Sequence, residues 1–330
     1  MLPARIDAKN KFSALPFDTI SGISSQHYNV FDVLRSVATK IGFIPSPSYS
    51  KLNLLRSRSI GLMIPNLTNA FYTDILRGIE SVAIKSGFSL FVCPSYRTPE
   101  KQTRLLDDLL ERKTGGLIVL STPIFMGKDF KKVCASMRVL SIQSDIKSVD
   151  NISVTDKQGM FEATEHLLEL GHTHIAFLGN DNNISAVNNR LDGFKAALRK
   201  NNVPVNENII SREHISSSGY ITAKALLCSK KPPTAIQCVN DHLAIGVYMA
   251  ATDLGLKIPQ DLSVSGFDNT MMSRLMTPNL TTVTQPATEM GETAAALIIK
   301  RIIGDDRTEP RSIVLPTKHI IRDSTAKACR

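Results

Sequence analysis

The chain has 330 residues, 42% hydrophobic and 21% charged, with 39 Lys+Arg against 30 Asp+Glu and a net charge of +9. That length points to about two compact domains, and the composition to a globular protein able to bury real cores. No apolar run approaches the ~20 residues that cross a bilayer, which excludes a membrane-spanning helix, while the basic surplus predicts attraction to phosphates or other anions.

The surplus sits at the front. Residues 1–60 carry Arg5, Lys9, Lys11, Arg35, Lys40, Lys51, Arg56 and Arg58 against Asp7, Asp18 and Asp32. A basic leading segment on a nearly neutral body fits a DNA-binding headpiece, and equally a solvated tail. Cys93, Cys134, Cys228, Cys238 and Cys329 are scattered without paired spacing, as in a reducing compartment. MLPARIDAKNKF lacks the apolar stretch of a secretory signal, so the expected location is cytoplasmic.

From residue 59 strand and helix signals alternate. SIGLMIP (59–65) is an apolar run closed by Pro65, and Phe71, Ile75, Leu76, Ile79 and Val82 then recur at helical spacing up to Gly87. Strands follow at 88–94, 116–121 and 139–144, with a helix over 98–113. The pattern then restarts, with helices over 159–170, 190–201, 219–228 and 243–254 and strands over 174–179, 234–240 and 262–269. Short buried strands separated by helices imply parallel sheets covered on both faces. The expected fold class is therefore α/β, with two doubly wound parallel-sheet lobes and an interlobe cleft at the strands' carboxyl ends. A tail, with a strand at 280–286, a helix ending at Gly304 and a segment at 312–324, has too little apolar material for a third core and is expected to cross back over both lobes.

Five stretches in order resemble the LacI/GalR transcriptional regulators: IGLMIPNLTNAFYTDILRGIE (60–80), ATEHLLELGHTHIAFLGN (163–180), RLDGFKAAL (190–198), VNDHLAIGVYMAATDLGLKIPQDLSVSGFDN (239–269) and TPNLTTVTQPATEMGETAAALII (277–299). The resemblance implies a periplasmic-binding-protein-like type I effector-binding and dimerisation domain over 59–330. It implies a small α-helical headpiece and hinge over 1–58. VLRSVATKIGFIPSPS (33–48) is similar to the last headpiece helix and the start of the hinge, with Ile41, Gly42, Phe43 and Pro45 in the places of a Leu-Gly-Tyr-x-Pro pattern. Ser48, Lys51 and Leu52 are then the DNA-contacting hinge residues, Leu52 as a wedge that trades unstacking for a bent duplex. The helix-turn-helix is degenerate. Its nearest candidate, FSALPFDTISG (12–22), places Pro16 and Asp18 in the recognition helix. The proline costs roughly 3 kcal/mol there, and an aspartate facing the groove meets phosphates and base acceptors unfavourably.

In the cleft the resemblance puts Arg190 on ligand oxygens, a role its planar fork suits; the alternative is a surface arginine at a helix start. Asp241 ends a strand where such sheets place ligand groups, and can equally cap the following helix. Phe71 and Tyr72 match positions that stack on ligand rings, one of them with a core role. His214 matches an aromatic wall, Thr122 offers a hydroxyl, and Gln143 replaces an aspartate common in the family with a neutral contact. Ile184 stands where purine-binding relatives carry an arginine, which argues against a purine. His172 and His174 have no further ligand at metal spacing, and His172 is expected to cap the preceding helix. No phosphate loop, dinucleotide fingerprint or nucleophile elbow is present. The reading is a non-enzymatic, cofactor-free repressor. Its expected partners are operator DNA, a sugar or sugar-derived effector, and a second copy of itself (a homodimer, with a tetramer as the alternative), with no membrane. A sugar-binding protein that has lost DNA binding is the competing reading.

Overall fold

A computed structural model describes residues 57–328, apart from 122–127, 145, 147, 180–183, 206–208 and 211–215. The chain divides into two units between Leu55 and Arg56, and the second is described below. Ser48, Lys51, Leu52 and the 12–22 segment lie outside the described residues, as do Thr122 and His214.

The second unit begins with β1 (Ser59–Ile64), whose six residues are all buried, as a central strand with both faces covered must be. Next come α1 (Ala70–Lys85), β2 (Ser89–Pro94), α2 (Pro99–Glu111), β3 (Gly116–Leu120), α3 (Lys128–Ser136), β4 (Arg138–Ile142) and β5 (Asp150–Val154). Asn69 starts α1 by accepting the Phe71 N–H on its side chain. After a first crossover, the second lobe runs α4 (Asp156–Glu169), β6 (Ile175–Leu178), α5 (Ser185–Lys200), β7 (Ile209–Ile210), α6 (Ser216–Leu227), β8 (Ala235–Cys238), α7 (Asp241–Asp253), β9 (Ser263–Ser265) and α8 (Met271–Leu275). The tail supplies β10 (Thr282–Thr284), α9 (Ala287–Ile303), β11 (Ser312–Leu315) and β12 (Lys318–Ile320).

The first sheet has the order β11-β5-β4-β3-β1-β2 and the second β7-β6-β8-β9, with every pairing parallel. In the first lobe, Ile60, Leu62 and Ile64 pack with Phe71, Ile75 and Ile79 of α1 and Met290, Ala294 and Ile298 of α9. Met63, Leu117 and Val119 meet Leu109 of α2 and Val133 of α3 in a separate cluster. The second lobe's core centres on Phe177, Phe194 and Phe267, with the first two rings 5.1 Å apart.

The tail goes further than crossing over the lobes. Helix α9 completes the first lobe's core, β11 becomes an edge strand beside β5, and β12 returns to pair antiparallel with β10. The chain thus passes between the lobes three times. Thr155 and Thr317 join two of these passages, their hydroxyls 2.8 Å apart and the Thr317 N–H donating to Thr155 Oγ1 at 2.9 Å.

One expectation is corrected here. The His172 side chain does not cap α4; its ring is buried and contacts Thr234 Oγ1, Ser263 Oγ and the Ala326 carbonyl at 2.9–3.0 Å. It ties β9 and the C-terminal segment together, a task invisible in the local GHTH context. No helix among the described residues is long and apolar enough to cross a membrane.

Candidate functional site

Both sheets present their carboxyl ends to one open cavity of about 370 Å³, including space continuous with solvent. From the first lobe it is lined by Asn69, Phe71 and Tyr72 after β1, Arg97 after β2 and Ser121 after β3. From the second come Ile184, Ala186, Val187 and Arg190 along α5, Val239 and Asn240 after β8, and Asp268 after β9. Asn69 and Asn240 are the N-caps of α1 and α7, each accepting a backbone N–H of its own first turn. With Ile184 at the start of α5, three helix amino ends adjoin the cavity. Their partial positive charge favours electron-rich oxygens.

The backbone around the cavity is unusual in the same way on four strand ends. Arg97, Ser121, Gln143 and Asp268 have φ of 57°, 42°, 54° and 117°. Left-handed conformations cost non-glycine residues of order 1–3 kcal/mol and collect where ligands are gripped.

Arg190 is the electrostatic centre. Its Nε donates to Asp156 Oδ1 at 2.7 Å, and Nη1 donates to the Val239 carbonyl at 2.8 Å and to Asp268 Oδ1 at 3.4 Å. The guanidinium lies 3.8 Å from the centroid of the Phe267 ring, so a cation–π contact supports it from below. Burial pushes the Asp268 and Asp156 carboxyls above the usual range, with Arg190 pulling both down. Burial opposes the charge on Arg190, but the two carboxylates outweigh it and hold the guanidinium above its ordinary pKa. Across the cavity the Tyr72 hydroxyl accepts from Arg97 Nη2 at 3.3 Å, and burial raises its pKa.

Of the residues picked out by sequence, Arg190, Phe71 and Tyr72 meet at this cavity, and both rings line it while also packing into the first lobe's core. Arg190 is no surface arginine: it is 6% exposed. Gln143 stands behind the wall, donating to Gln285 Oε1 at 2.7 Å. Asp241 points elsewhere. Its carboxylate is fully buried and accepts from Thr270 N–H at 2.8 Å, Thr270 Oγ1 at 3.2 Å and Thr282 Oγ1 at 2.6 Å. A Cβ on Gly266 would lie 2.4 Å from its Oδ1, so glycine there makes room for it. The helix cap is its neighbour Asn240, and the cavity carboxylate is Asp268. Sequence reasoning missed Asp268, Asn240, Asn69, Arg97 and Ser121. The signal for the two asparagines was their place between a strand and an apolar helical run; Asp268 had the same strand-end position as Asp241.

A prediction separates the two aspartates. Asp241→Ala leaves buried Thr270 and Thr282 donors unsatisfied and is expected to cost about 1–3 kcal/mol. Asp241→Asn, whose amide oxygen still accepts, should cost little of that. Chemical denaturation of both variants measures it, and a larger loss for Asn than for Ala would show the bonding to be wrong.

The fold and cavity together define a two-lobed, periplasmic-binding-protein-like ligand receptor. Residues 164–325 match the family described as a periplasmic binding protein-like domain. Over 326 residues the chain is 30% identical to the HTH-type transcriptional regulator DegA of Bacillus subtilis (strain 168), covering 96% of each chain. It is 29% identical over 304 residues to the HTH-type transcriptional repressor PurR of Vibrio vulnificus (strain CMCP6), covering 89% of each. A LacI family transcriptional regulator from Enterococcus faecium, solved with bound ribose, superposes with a TM-score of 0.72 at 30% identity over 82% of this chain and 99% of that one. The chain belongs to the LacI family of transcriptional regulators.

Proposed function

We propose that the protein is a sugar-responsive repressor whose effector binds in the interlobe cavity. The observation that carries this is the pairing of aromatic walls, Phe71 and Tyr72, with a fixed set of oxygen-binding groups, Arg190, Asp268, Asn69 and Asn240. Rings that cover a sugar's C–H face while donors and acceptors take its hydroxyls are the recognition such a ligand needs. Ile184 makes the α5 side of the wall apolar where a purine-binding relative would have a cation, and the Enterococcus faecium relative carries ribose. By the same resemblance Thr122 and His214 are further candidate effector contacts in this reading.

Residues 1–58 act as headpiece and hinge, with Ser48, Lys51 and Leu52 against operator DNA in the cytoplasm. The likeness to DegA covers 96% of the chain and so includes most of this segment, which supports DNA binding over a receptor without it. Pro16 and Asp18 in the candidate recognition helix favour the competing reading, a sugar receptor that has lost its operator. Two half-sites need two headpieces, so the working form is a homodimer. Exposed Ile221 of α6, Met249 of α7, and Met271 and Leu275 of α8 supply apolar surface for it.

A thermal-shift series with pentoses, hexoses, disaccharides and nucleobases tests the effector. Saturating sugar at ~100 times its Kd should add about 2.7 kcal/mol of stability. A response to nucleobases with none to sugars would overturn the ligand class. Gel shifts on DNA from the neighbouring genome, at stated salt, test the rest: sugar binding without sequence-specific retention would establish the competing reading.

A further inference from the structure

Five side chains behind the cavity form a continuous hydrogen-bonded series. The Gln143 amide donates to Gln285 Oε1 at 2.7 Å, and Gln285 Nε2 donates to Asp268 Oδ1 at 2.6 Å. Arg190 joins Asp268 to Asp156 and completes the series. None of the five is more than 6% exposed. Their places in the fold differ: Gln143 follows β4 in the first lobe, Gln285 stands on a crossover between β10 and α9, and Asp156, Arg190 and Asp268 belong to the second lobe.

We propose that Gln143 and Gln285 are positioning residues, and that the hydrogen bond between them is a latch between the lobes, made when the cleft is closed and broken at Gln143 when it opens. Gln143 is the one member carried by the first lobe, so rotation about the crossovers stretches its bond to Gln285 before any others. Its left-handed backbone is the conformation that surrounding contacts must hold in place. Gln285 reports on the ligand. It shares Asp268 Oδ1 with Arg190, so an effector oxygen engaging either group redistributes the same hydrogen bonds that secure Gln143. A buried polar network of this kind is stable only when fully satisfied, which gives the hinge two discrete states rather than a continuum. An effector moves the balance only by binding the two states unequally.

The latch deepens the effector-site reading and rests on it, but its test does not need the effector. Exposed Cys134 on α3 and Cys228 after α6 place one thiol on each lobe, while Cys93 and Cys238 are buried. In the full chain carrying Cys329→Ser, spin labels on the two exposed thiols report the interlobe distance by double electron–electron resonance, with no sugar added. Gln143→Met and Gln285→Met, which keep side-chain bulk but remove the amide, are expected to add a longer-distance population. The double variant should lengthen it no further than Gln285→Met alone, because the Gln143–Gln285 bond is already lost in each single variant; Gln143→Asn, with the amide withdrawn, should behave like Gln143→Met and serves if that variant fails to fold. Wild-type distances in these variants, even with a lowered melting temperature, would overturn the latch and leave a structural role only. Failure of every sugar to bind would instead strike at the effector reading and leave these distances meaningful.

Discussion

Arg190→Met is expected to remove sugar binding and to lower stability by roughly 3–5 kcal/mol, the cost of leaving buried charge uncompensated. Sequence considerations alone predict a ligand contact that can be deleted with the fold intact. The structure changes that expectation, because the same guanidinium holds Asp156, Asp268 and the Val239 carbonyl and rests on Phe267. The two carboxyls already sit above their ordinary range. Without the arginine they take up protons, so the variant should lose less stability in mild acid than at neutral pH. The sign follows from linkage: a carboxyl whose folded pKa is raised opposes folding in full above that pKa, and the penalty fades as pH falls toward its unfolded value. Arg190→Lys keeps a charge but not the fork, and should retain more stability than Arg190→Met while still failing to bind. Urea unfolding at two pH values, paired with calorimetric titration of a binding sugar, measures both effects. Full stability in Arg190→Met would show that the cluster is not the second lobe's electrostatic anchor.

Gly291→Val should be more damaging still, to the point of little soluble protein. A Cβ at Gly291 would lie 2.2 Å from the Ile75 carbonyl oxygen, and one at Gly78 would lie 2.1 Å from the Thr288 carbonyl oxygen. The two glycines face each other where α9 crosses α1, and the obstacle is backbone, which cannot rotate away. Overpacking that forces backbone shifts typically costs about 1–3 kcal/mol and occasionally more. Here α9 also supplies Met290, Ala294, Ile298 and Ile302 to the first lobe's core. Displacing it uncovers one face of that sheet. Expression yield and melting temperature of Gly291→Ala and Gly291→Val form a graded test, and wild-type melting in Gly291→Val would refute the close approach. The α4–α5 pair uses the same device, with a Cβ at Gly193 2.2 Å from the Lys157 carbonyl oxygen.

Most of the first lobe was legible because its strands are continuous apolar runs. SIGLMI and GLIVL are buried at every position, and periodicity needs no further context to find them. Strand β5 was missed because DNISV alternates, with only Ile152 and Val154 apolar, and it is a strand through its partners β4 and β11. Helix α3 has three apolar side chains and a Cys in nine residues, enough to cover a sheet face but too few to announce a helix. The site divided along the same line. Arg190, Phe71 and Tyr72 could be placed because each follows or faces a strand end. Between Asn240 and Asp241, one residue apart at such an end, nothing in the sequence says which side chain turns into the cavity and which turns beneath β9.

The +9 charge with its basic leading segment, the alternating apolar periods and the family's five stretches follow from residue order alone, because they are local or additive properties. They were sufficient for the fold class, the family and the location of the cleft. Which carboxylate serves the cavity was settled by contacts between residues far apart in the chain. The same holds for Arg190 as the anchor of Asp156 and Asp268, and for the bond that Gln143 makes to Gln285, a partner 142 positions away. Such contacts exist once three crossovers have brought two sheets and a returning tail together, and one-dimensional order carries no record of them.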